Sequence, residues 1–304
     1  MVIVNNVAGV SIIPGWLRHA PGVGLTFADI IAPAFLFAIG LTYGASFRRR
    51  LTRNGRRVAI GHFLRRWFAL IGIGAVLSAG EGFTGATGNV PFWGVLQAIG
   101  VAGLLTLPLV RRPVGVRLAA ACALLAIYQF GHDLFLADYV ARSSHGGLWG
   151  SIAWTAALIL STCFADHSRR SPSVAAAVSA EVGAAVGLIA AGLLLSLVVP
   201  LSKSGVSASY VLVTVGISGV VYQLFRLAAD VTLVPIPPLV WWGRNPLLLY
   251  LLHQILRALV VLPGVDWWYA GASLSLVVGQ VAFTLGALTA TSWWLYRKRV
   301  VVSL

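Results

Sequence analysis

Charge is what this chain has least of. Only 10% of its 304 residues are Asp, Glu, Lys or Arg, and just eight are acidic, whereas a soluble globular chain carries about 25% charged residues. With 59% apolar content, the surplus cannot be hidden in one core. An ordinary water-soluble domain is excluded, and the bilayer must serve as solvent. Cysteine is nearly absent too. Cys122 and Cys163 both sit inside apolar runs, which argues against a disulfide framework or a thiolate metal site. The six histidines are dispersed, with no His-x-x-x-His pair and no H-E-x-x-H string, so no metal is expected. There is no P-loop and no G-x-G-x-x-G between a strand and a helix, which disfavours nucleotide hydrolysis. No charged segment precedes the first apolar stretch and no small-residue cleavage site follows it, so no secretory signal peptide is read.

What remains is apolar sequence cut by short polar breaks. Ten runs are expected to be spans of an all-α polytopic transmembrane bundle, at 1–13, 28–47, 63–79, 92–110, 114–130, 148–165, 174–199, 209–229, 239–262 and 273–296. The first is too short to cross, because a spanning helix needs about 20 residues. Residues 1–304 read as one integral-membrane domain, placed in the inner or plasma membrane.

The net charge of +14 could suggest nucleic acid, but that needs a basic, water-exposed folded surface. Here 18 of the 22 basic residues lie in alternate loops, most densely from Arg48 to Arg66. The positive-inside rule puts those loops and the C-terminus in the cytoplasm. Nucleic acid is not an expected partner; the lipid bilayer is.

Ionisable residues in or beside spans are functional candidates. The densest group runs from Arg18 to Asp29. Pro21, Gly22 and Gly24 forbid a regular helix there, so His19 falls on irregular chain just outside the second span. Thr26 suits an N-cap with Asp29 three residues on, so Asp29 either caps helix amides or partners an imidazole. Tyr250, His253 and Arg257 share one helical face. Glu181 stands alone in the middle of its run, and the sequence suggests no partner for it.

The string Arg18-His-Ala-Pro-Gly-Val-Gly-Leu-Thr-Phe-Ala-Asp29 resembles the H-A-x-W-x-G-L-T-x-A-D signature of the heparan-α-glucosaminide N-acetyltransferase family, with Gly22 in place of the tryptophan. Pro91-Phe-Trp-Gly-Val-Leu-Gln97 is similar to that family's R-I-x-G-V-L-Q segment, with Ala98 where an arginine usually follows. Val199-Pro-Leu-Ser-Lys203 and Ser209-Tyr-Val-Leu-Val-Thr214 resemble its P-x-N-K and S-Y-V-x-T segments. Gly243-Arg-Asn-Pro-Leu-Leu-Leu-Tyr-Leu-Leu-His253 resembles a G-x-N-x-L-x-Y-x-x-H helix of wider membrane acyltransferases. The opening Met1-Val-Ile-Val-Asn5-Asn6 resembles the second half of the family's first span, so that span reads as truncated.

The resemblance implies a membrane enzyme that moves an acetyl group from cytosolic acetyl-CoA to an amino sugar or other glycan on the far side. It implies that His19 is the catalytic histidine, acting as general base or transient acetyl carrier. Asp29 would fix its tautomer, and Asn5 would donate to the thioester oxygen. CoA phosphates need Arg or Lys partners, and Arg65 and Arg66 are the expected ones. Gln97, Asn245 and His253 are expected along the pantetheine path. Arg18 and Lys203 lie where an acidic acceptor would arrive. A homodimer is compatible with this reading. Two alternatives share the composition: a polytopic transporter, and an inactive truncated relative of the same enzymes.

Overall fold

The computed structural model describes residues 1–83, 93–171, 173–231, 236–261 and 263–302. Every long regular element among them is α-helical, as the composition requires. The helices are α1 (Val2–Val7), α2 (Phe27–Phe83), α3 (Val95–Thr106), α4 (Val114–Gly131), α5 (Ala137–Ala141), α6 (Gly147–Arg170), α7 (Val174–Leu195), α8 (Ala208–Arg226), α9 (Pro237–Arg244), α10 (Pro246–Val261) and α11 (Leu274–Arg297). Among the described residues, six helices rather than ten are long and apolar enough to cross a membrane; Val95–Thr106 and Pro246–Val261 are shorter apolar helices.

Part of the difference lies in α2, which holds both the second and the third apolar runs. At 1.5 Å per residue its 57 residues would reach about 85 Å if straight, nearly three hydrocarbon thicknesses. It is not straight. Gly55 leaves the helical region at φ 78°, ψ 170°, a conformation that favours glycine, and the two legs fold back on each other. Tyr43 stacks on Phe63 with ring centroids 5.1 Å apart, and the Trp67 indole donates to the Tyr43 hydroxyl at 2.9 Å. The basic stretch on either side of Gly55 stays helical because arginine is a good helix former. The start of the fourth expected run, at Phe92, lies outside the described residues.

The chain divides into two compact units: Met1–His19, Thr26–Ala28 and Ala228–Leu304 form one; Ala20–Leu25 and Asp29–Leu227 form the other. The larger unit is built on α6, which is buried along most of its length and packs against α3, α4, α7 and α8. In it α7 and α8 pack closely. A Cβ on Gly216 would stand 2.6 Å from the Ala185 carbonyl oxygen, and one on Gly192 would stand 2.8 Å from the Val213 nitrogen. Small residues let the two backbones approach, as membrane helices require. The same pairing gives Glu181 its partners. Gln223 donates to it at 2.5 Å and Arg226 lies 3.4 Å away. The smaller unit packs α1 against α10 and α11, and α9 against α11.

Candidate functional site

His19 is exposed, while the chain leading to it and the chain leaving it are each anchored within their own unit. In the smaller unit, the Arg18 guanidinium donates to the carbonyls of Val10 and Ser11 at 2.6 and 2.7 Å, and the Thr26 hydroxyl donates to the Arg18 carbonyl at 2.6 Å. In the larger unit, the Ala20 amide donates to the Asp29 carboxylate at 3.1 Å, and the Gly24 amide donates to the Leu201 carbonyl at 2.8 Å. Gly22 and Gly24 adopt φ of +85° and +117°, so the turn needs glycine at both points.

Asp29 opens α2 and is 0% exposed. A carboxylate in a first helical turn is favoured by the helix dipole, yet full burial of a charge also demands a partner. Lys203 lies 3.8 Å away, and the Tyr210 hydroxyl donates to the Asp29 backbone carbonyl at 2.7 Å. Burial pushes the Lys203 ammonium down to about 8, with the Asp29 carboxylate opposing that shift. The loop carrying Lys203 is clamped in turn. Ser207 caps α8, accepting from the Tyr210 and Ser202 amides at 3.3 and 3.1 Å. Tyr128 donates to the Gly205 carbonyl at 2.8 Å, and Gln129 accepts from the Ala208 amide at 3.0 Å. Next to Gln129, His132 pairs with Asp133 at 2.9 Å. Sequence reasoning missed Tyr128 and Gln129, because no local pattern links α4 to a loop that lies beyond α6 and α7.

The smaller unit also carries polar side chains turned away from solvent on α1 and α10. His253 is 0% exposed, and neither of its ring nitrogens has a hydrogen-bond partner among the described residues. On the same two helices, both side-chain polar atoms of the buried Asn6 and the Gln254 Oε1 also lack partners among the described residues. Asn5, the expected thioester donor, is only half-buried; its neighbour Asn6 is the buried one. Buried polar atoms without partners cost roughly 1–3 kcal/mol each, so such a group calls for an explanation.

The remaining expected residues have local partners. The Gln97 side-chain oxygen accepts from the Gly94 amide at 2.5 Å and the Ser78 hydroxyl at 3.1 Å, capping α3. Asn245 precedes α10 and ties down the chain end, donating to the Val300 carbonyl at 3.0 Å and accepting from the Val302 amide at 2.7 Å. Asn245→Ala is therefore expected to cost about 1–3 kcal/mol, seen as a lower melting temperature in detergent. An unchanged melting curve would show that the clamp contributes nothing. Arg65 is exposed, and Arg66 lies over the Trp67 ring at 5.2 Å.

Residues 1–144 match the family model described as heparan-alpha-glucosaminide N-acetyltransferase, catalytic. The resemblance carried by the His19 segment is thus borne out over that stretch, and it points to a membrane acetyltransferase. No curated protein matches the chain.

Proposed function

We propose that residues 1–304 form one membrane acyltransferase domain. It moves an acetyl group from cytosolic acetyl-CoA to the nitrogen or oxygen of an amino sugar or other glycan acceptor on the extracytoplasmic side. The observation that supports this reading is the match of residues 1–144, which include the exposed His19, to the heparan-alpha-glucosaminide N-acetyltransferase catalytic model.

In this reading the His19 imidazole takes the proton of the acceptor as the new bond to the acetyl carbon forms. The carbon–sulfur bond of the thioester breaks, and the proton passes on to the CoA thiolate. Imidazole suits this exchange near neutral pH. Transfer through an acetyl-imidazole uses the same residue in two steps. Asp29 acts by holding the backbone that follows His19. Lys203 gives the acceptor side a cation, while Arg18 serves by bracing the loop.

CoA supplies the thioester, and its pantetheine arm carries amide groups that need both donors and acceptors. His253, whose ring nitrogens have no partner among the described residues, and Gln97 and Asn245 are proposed along the path of that arm. Arg65 and Arg66 are proposed for a phosphate of CoA, with the basic loops and the C-terminus cytoplasmic.

The test is acetyl transfer in proteoliposomes, with radiolabelled acetyl-CoA on one side and a panel of amino sugars on the other. His19→Ala is expected to lower the rate roughly 100-fold or more. Unchanged transfer in that variant overturns the role of His19. Failure of the wild-type chain to bind CoA overturns the activity.

A further inference from the structure

At the opposite end of the larger unit, three arginines meet one carboxylate. Asp166 on α6 accepts from Arg117 of α4 at 2.5 Å through one oxygen. Through the other it accepts from Arg48 of α2 at 2.9 Å and Arg169 of α6 at 2.8 Å. Arg117 is 1% exposed and also donates to the Thr162 hydroxyl at 2.8 Å. The Arg117–Asp166 pair is neutral and buried. Arg48 and Arg169 then add two positive charges that Asp166 cannot balance, and Asp166 is the only carboxylate they share among the described residues.

Two guanidinium groups converging on one oxygen repel each other. Their side chains are 43% and 38% exposed, and each guanidinium has five N–H donors in a planar fork. Arg48 uses one of its nitrogens on Asp166; Arg169 uses one on Asp166 and another, at 3.4 Å, on the Leu41 carbonyl. The leftover donors belong to exposed forks held on a buried base. Arg48 follows Asp29 by 19 residues on the first leg of α2, roughly 28 Å along a helix, close to the thickness of a hydrocarbon core. The cluster therefore stands at headgroup depth if Asp29 marks the other surface.

We propose that Arg48 and Arg169, held by Asp166 and Arg117, bind a phosphate ester. Paired guanidinium forks match phosphate oxygens in geometry and charge. Two sources carry that chemistry: an anionic phospholipid headgroup and a phosphate of CoA other than the one Arg65 and Arg66 hold. The CoA source rests on the activity proposed above; the lipid source does not, so the two readings can fail separately.

The experiment compares the full chain with Arg48→Gln/Arg169→Gln, which leaves the Arg117–Asp166 pair intact. Thermal unfolding is measured in phosphatidylcholine nanodiscs with and without phosphatidylglycerol, and CoA binding by calorimetry in lipid-free neutral detergent. A lipid site predicts that phosphatidylglycerol raises the wild-type melting temperature by several degrees and that the variant loses this shift while keeping its CoA affinity. A CoA site predicts binding weakened about tenfold or more in the variant, with an unchanged response to lipid. Wild-type behaviour in both measurements overturns the proposal. If the glutamine pair does not fold, Arg48→Lys/Arg169→Lys keeps the charge and loses the fork. It should weaken one of the two responses several-fold, and an unaltered response in both overturns the assignment.

Discussion

Asp29→Ala is expected to lower the melting temperature on the order of 10 °C and to abolish acetyl transfer along with it. The carboxylate is buried, receives the Ala20 amide and faces the mostly buried Lys203. Its removal strands a cation and an amide together, and breaking one partner of a buried charge pair costs about 3–5 kcal/mol. Adding Lys203→Met to Asp29→Ala should recover part of the loss, because the stranded cation goes too. Melting by circular dichroism checks both variants; a wild-type melting temperature for Asp29→Ala would show that the carboxylate does not hold this loop.

The same pair predicts a pH dependence. Lys203 releases its proton near 8 in the fold, against 10.5 for the ordinary side chain. Between those values the unfolded chain binds more protons than the folded one, so this group's contribution to stability rises with pH. The slope should be missing in Lys203→Met, and an identical slope in both proteins would rule out Lys203 as its source.

Asp166→Ala is the second large effect. It leaves the fully enclosed Arg117 without its carboxylate, beside Arg48 and Arg169. Loss of the one acid among three arginines is expected to cost about 3–5 kcal/mol, read as a collapse in the yield of folded protein. Arg117→Met/Asp166→Ala should do better than Asp166→Ala alone, since an apolar residue can replace a buried ion pair at little cost. Equal yields for wild type and Asp166→Ala would show that the arginines are satisfied elsewhere.

Much of this was legible in the residues. Pro21, Gly22 and Gly24 placed His19 on irregular chain, and both glycines do adopt positive φ. The sequence allows Asp29 a helix-end role or an imidazole partner; its contacts include the Ala20 amide and Lys203. Other assignments could not be read. The sequence puts Arg18 where an acidic acceptor would arrive; in the fold its guanidinium also braces two carbonyls of its own segment. Gln97 and Asn245 carried family motifs, and the structure occupies their side chains with a helix cap and the chain end. Glu181 had no visible partner until α8 brought Gln223 against it.

By itself the sequence determined the solvent, the helical class and the irregular chain around His19. These follow from composition and from residues a few positions apart, where backbone sterics and hydrophobicity act locally. Tertiary structure alone decided which polar groups meet: the fold-back of α2 at Gly55, the Asp29–Lys203 pair, and three arginines on Asp166. Most of those partners stand far apart along the chain, and only helix packing determines which buried charge finds which.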